Sequence, residues 1–323
     1  MARQIDTDAV INSIRLAEQA GDVLAVAAGY WQLYAKEGGL YFEDDNEVVG
    51  GPFGTAFEPG GRLTLTTATP VTTADVTAAT TLYYTPYKHN MISVFDGARW
   101  IPKTFTELSL NIAAYTASKP YDIFAYLNSG VVALESLVWT NPITRATALA
   151  FQDGRLVKSG TTTRLYLGTI YVNSSGGQTD DSEAKRNVWN YYNRVIRKIY
   201  TYEATSHTYA TASFRLWNNS TTNNNREFTI GVVENTVQIG LYVSGTAPTT
   251  AHPWFVGVSY DATNATLDTP ARVSSTITTG MELGASINHL QGIGNHYYAV
   301  VEYATAGANF NGLAMALRAN ILG

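Results

Sequence analysis

RNVWNYYNRVIRKIY, Arg186 to Tyr200, packs four basic residues and four aromatic ones into fifteen positions of a sparsely charged chain. Basic side chains interleaved with rings suit nucleic acid, where cations meet phosphates and rings stack on bases. Read at three-four spacing, however, Ala184, Val188, Tyr191, Tyr192, Val195, Ile196 and Ile199 form one apolar stripe. Lys185, Arg186, Arg194, Arg197 and Lys198 fall mainly off that stripe. Asp180, Asp181 and Glu183 gather at its start, the ordering a helix dipole prefers, and Asp180 with Glu183 makes a weak capping box. The spacing therefore predicts an amphipathic helix over about 180–200, packed through Val188, Tyr191, Tyr192, Val195 and Ile199 and bracketing two β-rich units.

Outward from that stretch, the chain reads as strands. RLTLTT alternates cleanly from Arg62, and Asp96-Gly97, Asn128-Ser129-Gly130 and Asp153-Gly154 separate alternating runs as hairpin turns do. After Tyr200 the strand signals resume and continue to the last residues, interrupted by the polar loop NNSTTNNN, Asn218–Asn225. Short turns between alternating runs predict antiparallel pairing. Strands at this spacing without internal repeats predict sandwich or jelly-roll-like units. At the N-terminus, Val10, Ile14, Ala17, Gly21 and Leu24 alternate steps of four and three, the seam of a short helix suited to assembly. Between Tyr30 and Gly54, Gly38-Gly39 and Asp45-Asn46 predict a hairpin arm, and a Gly/Pro-rich run to Gly61 reads as a linker. The expected organisation is an arm over 1–60, a β-rich unit over 61–200 closed by the helix, and a second β-rich unit over 201–323.

Composition narrows the function classes. Of 323 residues, 45% are hydrophobic but only 15% are charged, so polarity rests on Thr, Ser, Asn and 21 tyrosines, which suit exposed pleated surfaces. A net charge of −5 disfavours nucleic acid as the main partner. There is no cysteine, hence no disulfide framework and no thiolate metal site. No apolar run approaches the ~20 residues of a membrane span, and the charged first residues lack the apolar stretch of a secretory signal, so synthesis in the cytoplasm without membrane insertion is expected.

Motifs for chemistry are sparse. His89, His207, His252, His289 and His296 show no metal-ligand spacing, and the acids of EDDNE, Glu43–Glu47, read as a solvated hairpin tip. GxSxG, P-loop and dinucleotide fingerprints are absent. Asp122, Glu135 and Asp261 have the residue type of glycosidic acids but equally ordinary strand or loop explanations. No catalytic residue, metal ligand or cofactor is expected.

Several segments carry a resemblance. PVTTADVTAATTLYYTPY, YDIFAYLNSG, WTNPITRATALAFQDGRLVKSG, RLYLGTIYV and DSEAKRNVWNYYNRV, within Pro70 to Tyr200, resemble a family of tailed-bacteriophage virion structural proteins. The most specific elements are Trp139-Thr140-Asn141 with Arg145, and Tyr166-Leu167-Gly168-Thr169. The resemblance implies a non-enzymatic virion component, a homotrimer joined to other virion proteins through its N-terminal region. A tail fibre or receptor-binding appendage is the leading expectation. A capsid decoration or head-fibre protein is the alternative, and a polysaccharide depolymerase the more distant one. For a host glycan or receptor, Trp217, Asn223 and Trp254 are the expected contact residues; Val10, Ile14, Ala17 and Leu24 are the expected assembly residues.

Overall fold

The computed structural model describes residues 18–19, 28–36, 39–44, 46, 49–53, 57–221, 224–246, 254–267, 272–275, 280–305, 308–310 and 313–323. Among these the protein is mainly β. One 3-10 turn, Trp217–Asn219, is the helical element among the described residues.

The expected hairpins form where the turn chemistry allows them. Lys119–Asn128 pairs antiparallel with Val131–Val138 through Ser129 and Gly130, at φ 50° and 82°. Leu149–Gln152 pairs with Arg155–Lys158 through Asp153 and Gly154, at φ 49° and 79°. Two successive left-handed residues give a turn whose twist matches that of the strands it joins. Met91–Phe95 and Trp100–Thr104 pair around Asp96, whose carboxylate accepts from the amides of Ala98 (2.8 Å) and Arg99 (2.9 Å). Near the N-terminus Trp31–Lys36, Gly39–Asp44 and Val49–Phe53 form a three-stranded antiparallel meander.

The central sheet runs in the order Val131–Val138, Lys119–Asn128, Thr161–Val172, Arg155–Lys158, Leu149–Gln152. Its middle strands bury both faces, which explains why YDIFAYL and RLYLGTIYV read as apolar runs. Ile123, Ala125, Leu165 and Leu167 face one core with Leu63, Leu82 and Ile92. Phe124 and Tyr166 face a second core with Trp189, Ile199 and the strands that follow. One sheet thus joins both cores, and residue 200 falls inside the strand Ile196–Glu203.

Two further sheets enclose the second core. One, wholly antiparallel, is ordered Ile196–Glu203, Leu313–Leu322, Val237–Thr246, Gly280–His289. The other runs from Arg272–Ser275 through Trp254–Tyr260, Gly294–Ala304, Asn225–Ile230, Lys185–Arg186 and Thr179–Asp181 to Val76–Ala79. Lys185–Arg186 lies parallel to Asn225–Ile230, so the expectation of antiparallel pairing holds except at such short contacts.

The helix expected over 180–200 is not present. Val188–Asn190 pairs with Thr161–Val172, the chain turns through Asn193 at φ 53°, and Ile196–Glu203 pairs with Leu313–Leu322. Apolar positions at 188, 191, 192, 195 and 199 fit a period of 3.6, but within Ile196–Glu203 burial follows a period of two, at Arg197, Ile199, Thr201 and Glu203. Composition is compatible with the strands: Val188, Val195, Ile196, Ile199 and the rings favour a pleated surface, and Asn187, Asn190 and Asn193 are poor in a helix interior. Val188 enters one core and Ile199 the other, while Tyr191 and Tyr192 pack at their margins. The Val195 amide and carbonyl pair with Gly323.

The charges are corrected with the helix. Arg186 and Arg197 are buried, and they share Asp181 at 2.9 and 2.7 Å. Arg197 also donates to the Thr72 carbonyl at 2.8 Å, and Arg62 to the carbonyls of Pro70, Asn193 and Gly323. Burial, helped by the Arg197 charge, lowers the Arg62 guanidinium to about 10, leaving it charged at neutral pH. Within the expected N-terminal helix, the described Glu18–Gln19 form a short strand parallel to Trp31–Lys36. Val10, Ile14, Ala17 and Leu24 lie outside the described residues.

Candidate functional site: an open sheet face

Strand alternation divides the antiparallel C-terminal sheet into two unlike faces. Ile199, Ala319, Ile239 and Ile287 point into the core with Leu317, Leu241, Met315 and Val243. The other face carries three registered rows. These are Lys198, Asn320, Gln238 and Asn288; then Tyr200, Arg318, Gly240 and Ser286; then Tyr202, Ala316, Tyr242 and Gly284. No described residue covers this face: Tyr202 is 58% and Tyr242 44% exposed, and Gln238, Ser286, Asn288 and Arg318 are exposed.

Gln238, Gly240, Ser286, Arg318 and Asn320 line a shallow trough in it. Gly240 is its floor, because the position between Arg318 and Ser286 lacks a side chain. Lys198 is neutralised by Glu183 at 2.7 Å, whereas Arg318 has no acidic partner among the described residues. Glu282, diagonal to Tyr242, accepts a hydrogen bond from its phenol, and that bond, with the carboxylate charge, raises the Tyr242 pKa above its ordinary value. The arrangement supplies a guanidinium, neutral amides, a hydroxyl and two exposed rings on a rigid pleated frame, so it can bind and orient a polar ligand.

The residues expected to contact a receptor lie elsewhere. Trp217 and Trp254 are fully buried, packed edge-on against Phe310 at 5.4 and 6.0 Å between ring centres, so they belong to the core. A large ring beside a polar loop looks exposed in sequence, but Trp217 lies in the core, and Asn224 donates to its carbonyl at 2.6 Å. Asn223 lies outside the described residues. The alternation in TVQIGLYVSG, MELGASINH and LAMALRANI was the sequence signal for the open face.

Asp122, Glu135 and Asp261 each take a basic partner. Glu135 binds Arg164 (2.8 Å) and Lys158 (3.4 Å), and Asp261 binds His296 (2.7 Å). Asp122, 1% exposed, forms a two-point pair with Arg145 at 2.8 and 3.2 Å and accepts from Thr169 at 2.7 Å. Burial pushes its carboxyl up against the pull of Arg145 and Thr169. Arg145 also donates to Tyr166 and the Gly231 carbonyl, and lies 4.5 Å from the Trp139 ring centre. A Cβ on Gly231 would fall 2.2 Å from the Tyr166 oxygen, so that close approach needs glycine. Trp139, Arg145, Tyr166 and Thr169, the specific elements of the phage resemblance, therefore meet in one buried clamp between the two cores.

His207 bonds Glu302, which also pairs with Arg215 at 2.7 Å, and stacks on Phe310. Burial alone would lower the His207 pKa, but the Glu302 hydrogen bond and charge outweigh it and raise it. His289 and His296 meet around Tyr260, at 4.6 and 5.0 Å between ring centres, rather than as a ligand pair. His252 lies outside the described residues. Among the described residues no group of three or more His, Asp or Glu could hold a metal ion, and no helix is long and apolar enough to cross a membrane.

No family model matches the chain, and no curated protein matches it. Among solved structures, infectious bursal disease virus Gx strain aligns at 8% identity, covering 91% of this chain and 66% of that one, with a TM-score of 0.26. A Bacillus thuringiensis Cry1Da tryptic core variant aligns at 10% identity, covering 76% and 48%, with a TM-score of 0.21. BuGH86wt in complex with neoagarooctaose aligns at 10%, covering 76% and 34%, with a TM-score of 0.20. The chain thus spans less than two thirds of these structures' own lengths, and such scores carry no argument about its fold or function.

Proposed function

We propose that the chain is a non-enzymatic structural protein of a bacteriophage virion, a trimeric tail fibre or receptor-binding appendage that presents the open C-terminal sheet face to the host surface. The N-terminal arm attaches it to other virion proteins, and two sandwich or jelly-roll-like β-units follow. The observation that carries this reading is the open face itself, with exposed tyrosines, amides, and an arginine that has no acidic partner among the described residues, on a sheet whose other face is core. The phage resemblance over Pro70–Tyr200 supports the setting. Attachment through the arm is supported by Trp31 and Leu33, 67% and 53% exposed on the N-terminal meander and available to a partner. Repetition of one modest contact over several appendages multiplies attachment to a cell.

Gold-labelled antibody against the chain, imaged on intact particles, tests the reading. Label at the tail tip supports it, label on the capsid transfers the chain to the decoration or head-fibre role, and unlabelled particles refute the virion assignment.

A further inference from the structure

Resting on the reading of the open face as a host contact, we infer that the Gly240 trough binds an acidic sugar unit of a surface polysaccharide, with its carboxylate on Arg318 and its ring against Tyr242.

The glycines supply the first argument. Gly240 and Gly284 both sit mid-strand on the outward face, and glycine weakens a strand interior. Neither has a left-handed φ, and a Cβ on them would meet no atom closer than 3.9 and 3.7 Å. The fold thus has room for a larger residue at each place, and the absence of side chains leaves space above the sheet. A glycine of this kind marks a place where a ligand approaches the backbone.

The groups around that space define the ligand. Neighbouring strands lie about 4.8 Å apart and same-face neighbours about 6.8 Å along a strand, so Arg318, Gln238 and Ser286 surround Gly240 within reach of one sugar ring. Tyr202 and Tyr242 are two strands apart, about 9–10 Å, and can take successive rings of a chain. A planar guanidinium matches a carboxylate at two points, and amides and hydroxyls match sugar hydroxyls. Nucleic acid would require several cations, whereas Lys198 is already paired and Glu282 is an anion on the same face. A protein partner would favour an apolar centre, and the centre here is glycine, amide and arginine.

The test uses the whole chain and oligosaccharides containing glucuronate, galacturonate or sialate, each beside its neutral methyl ester, read by saturation-transfer NMR and calorimetry. The inference expects at least one acidic oligosaccharide to bind at least 10-fold more tightly than its ester. Arg318→Gln should erase that preference, and Gly240→Val should abolish binding while leaving the melting temperature unchanged or raised. Failure of every acidic probe to bind, equal affinity for acid and ester, or full binding by Gly240→Val overturns it. Attachment of the labelled chain to host cells separates the two levels. If Gly240→Val loses attachment while the acidic probes fail, the acidic-sugar inference falls and the open-face reading stands. If the wild-type chain does not attach, the reading itself falls. A change in oligomer mass for Arg318→Gln by light scattering makes the face a subunit interface and overturns both.

Discussion

Arg145→Ala isolates the clamp between the two cores. The substitution removes both hydrogen bonds that Arg145 makes to Asp122, its donations to Tyr166 and Gly231, and the guanidinium beside Trp139. Asp122 is left buried with Thr169 as its remaining donor. Breaking a buried ion pair from one side costs about 3–5 kcal/mol, and a guanidinium–ring contact contributes about 0.5–2 kcal/mol, partly the same energy counted twice. A loss of about 3–5 kcal/mol at neutral pH is therefore expected. Asp122 already has a raised pKa, and without Arg145 it rises further. A carboxyl whose folded pKa exceeds its unfolded one destabilises above the unfolded value, and the penalty is relieved as pH falls. The variant should consequently recover part of its deficit between pH 7.5 and pH 5. Urea unfolding followed by tryptophan fluorescence at both pH values measures this. A double variant, Asp122→Leu with Arg145→Met, should lose far less than Arg145→Ala because no unpaired charge remains. A loss below about 1 kcal/mol, or a deficit independent of pH, would refute the reasoning.

Three further outcomes are expected. Trp217→Ala and Trp254→Ala should each cost about 3–5 kcal/mol in urea unfolding, as buried rings do, whereas near-neutral substitutions would place them back on the surface. Gly240→Val should raise stability by about 0.5–1 kcal/mol, since an extended mid-strand glycine is replaced where space exists; a lowered unfolding midpoint contradicts that. The raised pKa of His207 contributes stability that is complete below its unfolded value of about 6.5 and is lost as pH rises through its folded value. The stability slope from pH 6 to pH 8 should therefore flatten in His207→Gln, and an unchanged slope assigns the loss to another group.

The parts of the fold legible in sequence are those fixed by local chemistry. Ser129-Gly130 and Asp153-Gly154 announce their hairpins because few residues accept two left-handed positions in succession. The apolar runs of the central strands announce burial, though not that their two faces serve different cores. Arg186–Tyr200 looks helical because its apolar positions follow a period of 3.6, whereas the strands it forms are set by partners distant in sequence, Thr161–Val172 and Leu313–Leu322. The same distance hides the burial of Arg186 and Arg197: their partner Asp181 is close in sequence, but the Thr72 segment that completes the enclosure is not. For the candidate site, aromatic size pointed to Trp217 and Trp254. Register instead selects Tyr202 and Tyr242, whose exposure follows from strand alternation, and Arg318, whose lack of an acidic partner among the described residues is visible only once the sheet is assembled.

Adsorption competition tests the central claim most directly. Under the proposed virion role, host cells preincubated with the purified wild-type chain should lose most of their capacity to adsorb particles that carry it, while Gly240→Val, folded and at least as stable, should leave adsorption near its untreated level. Equal blocking by both proteins, or by neither, would contradict the assignment of the open sheet face as the host contact.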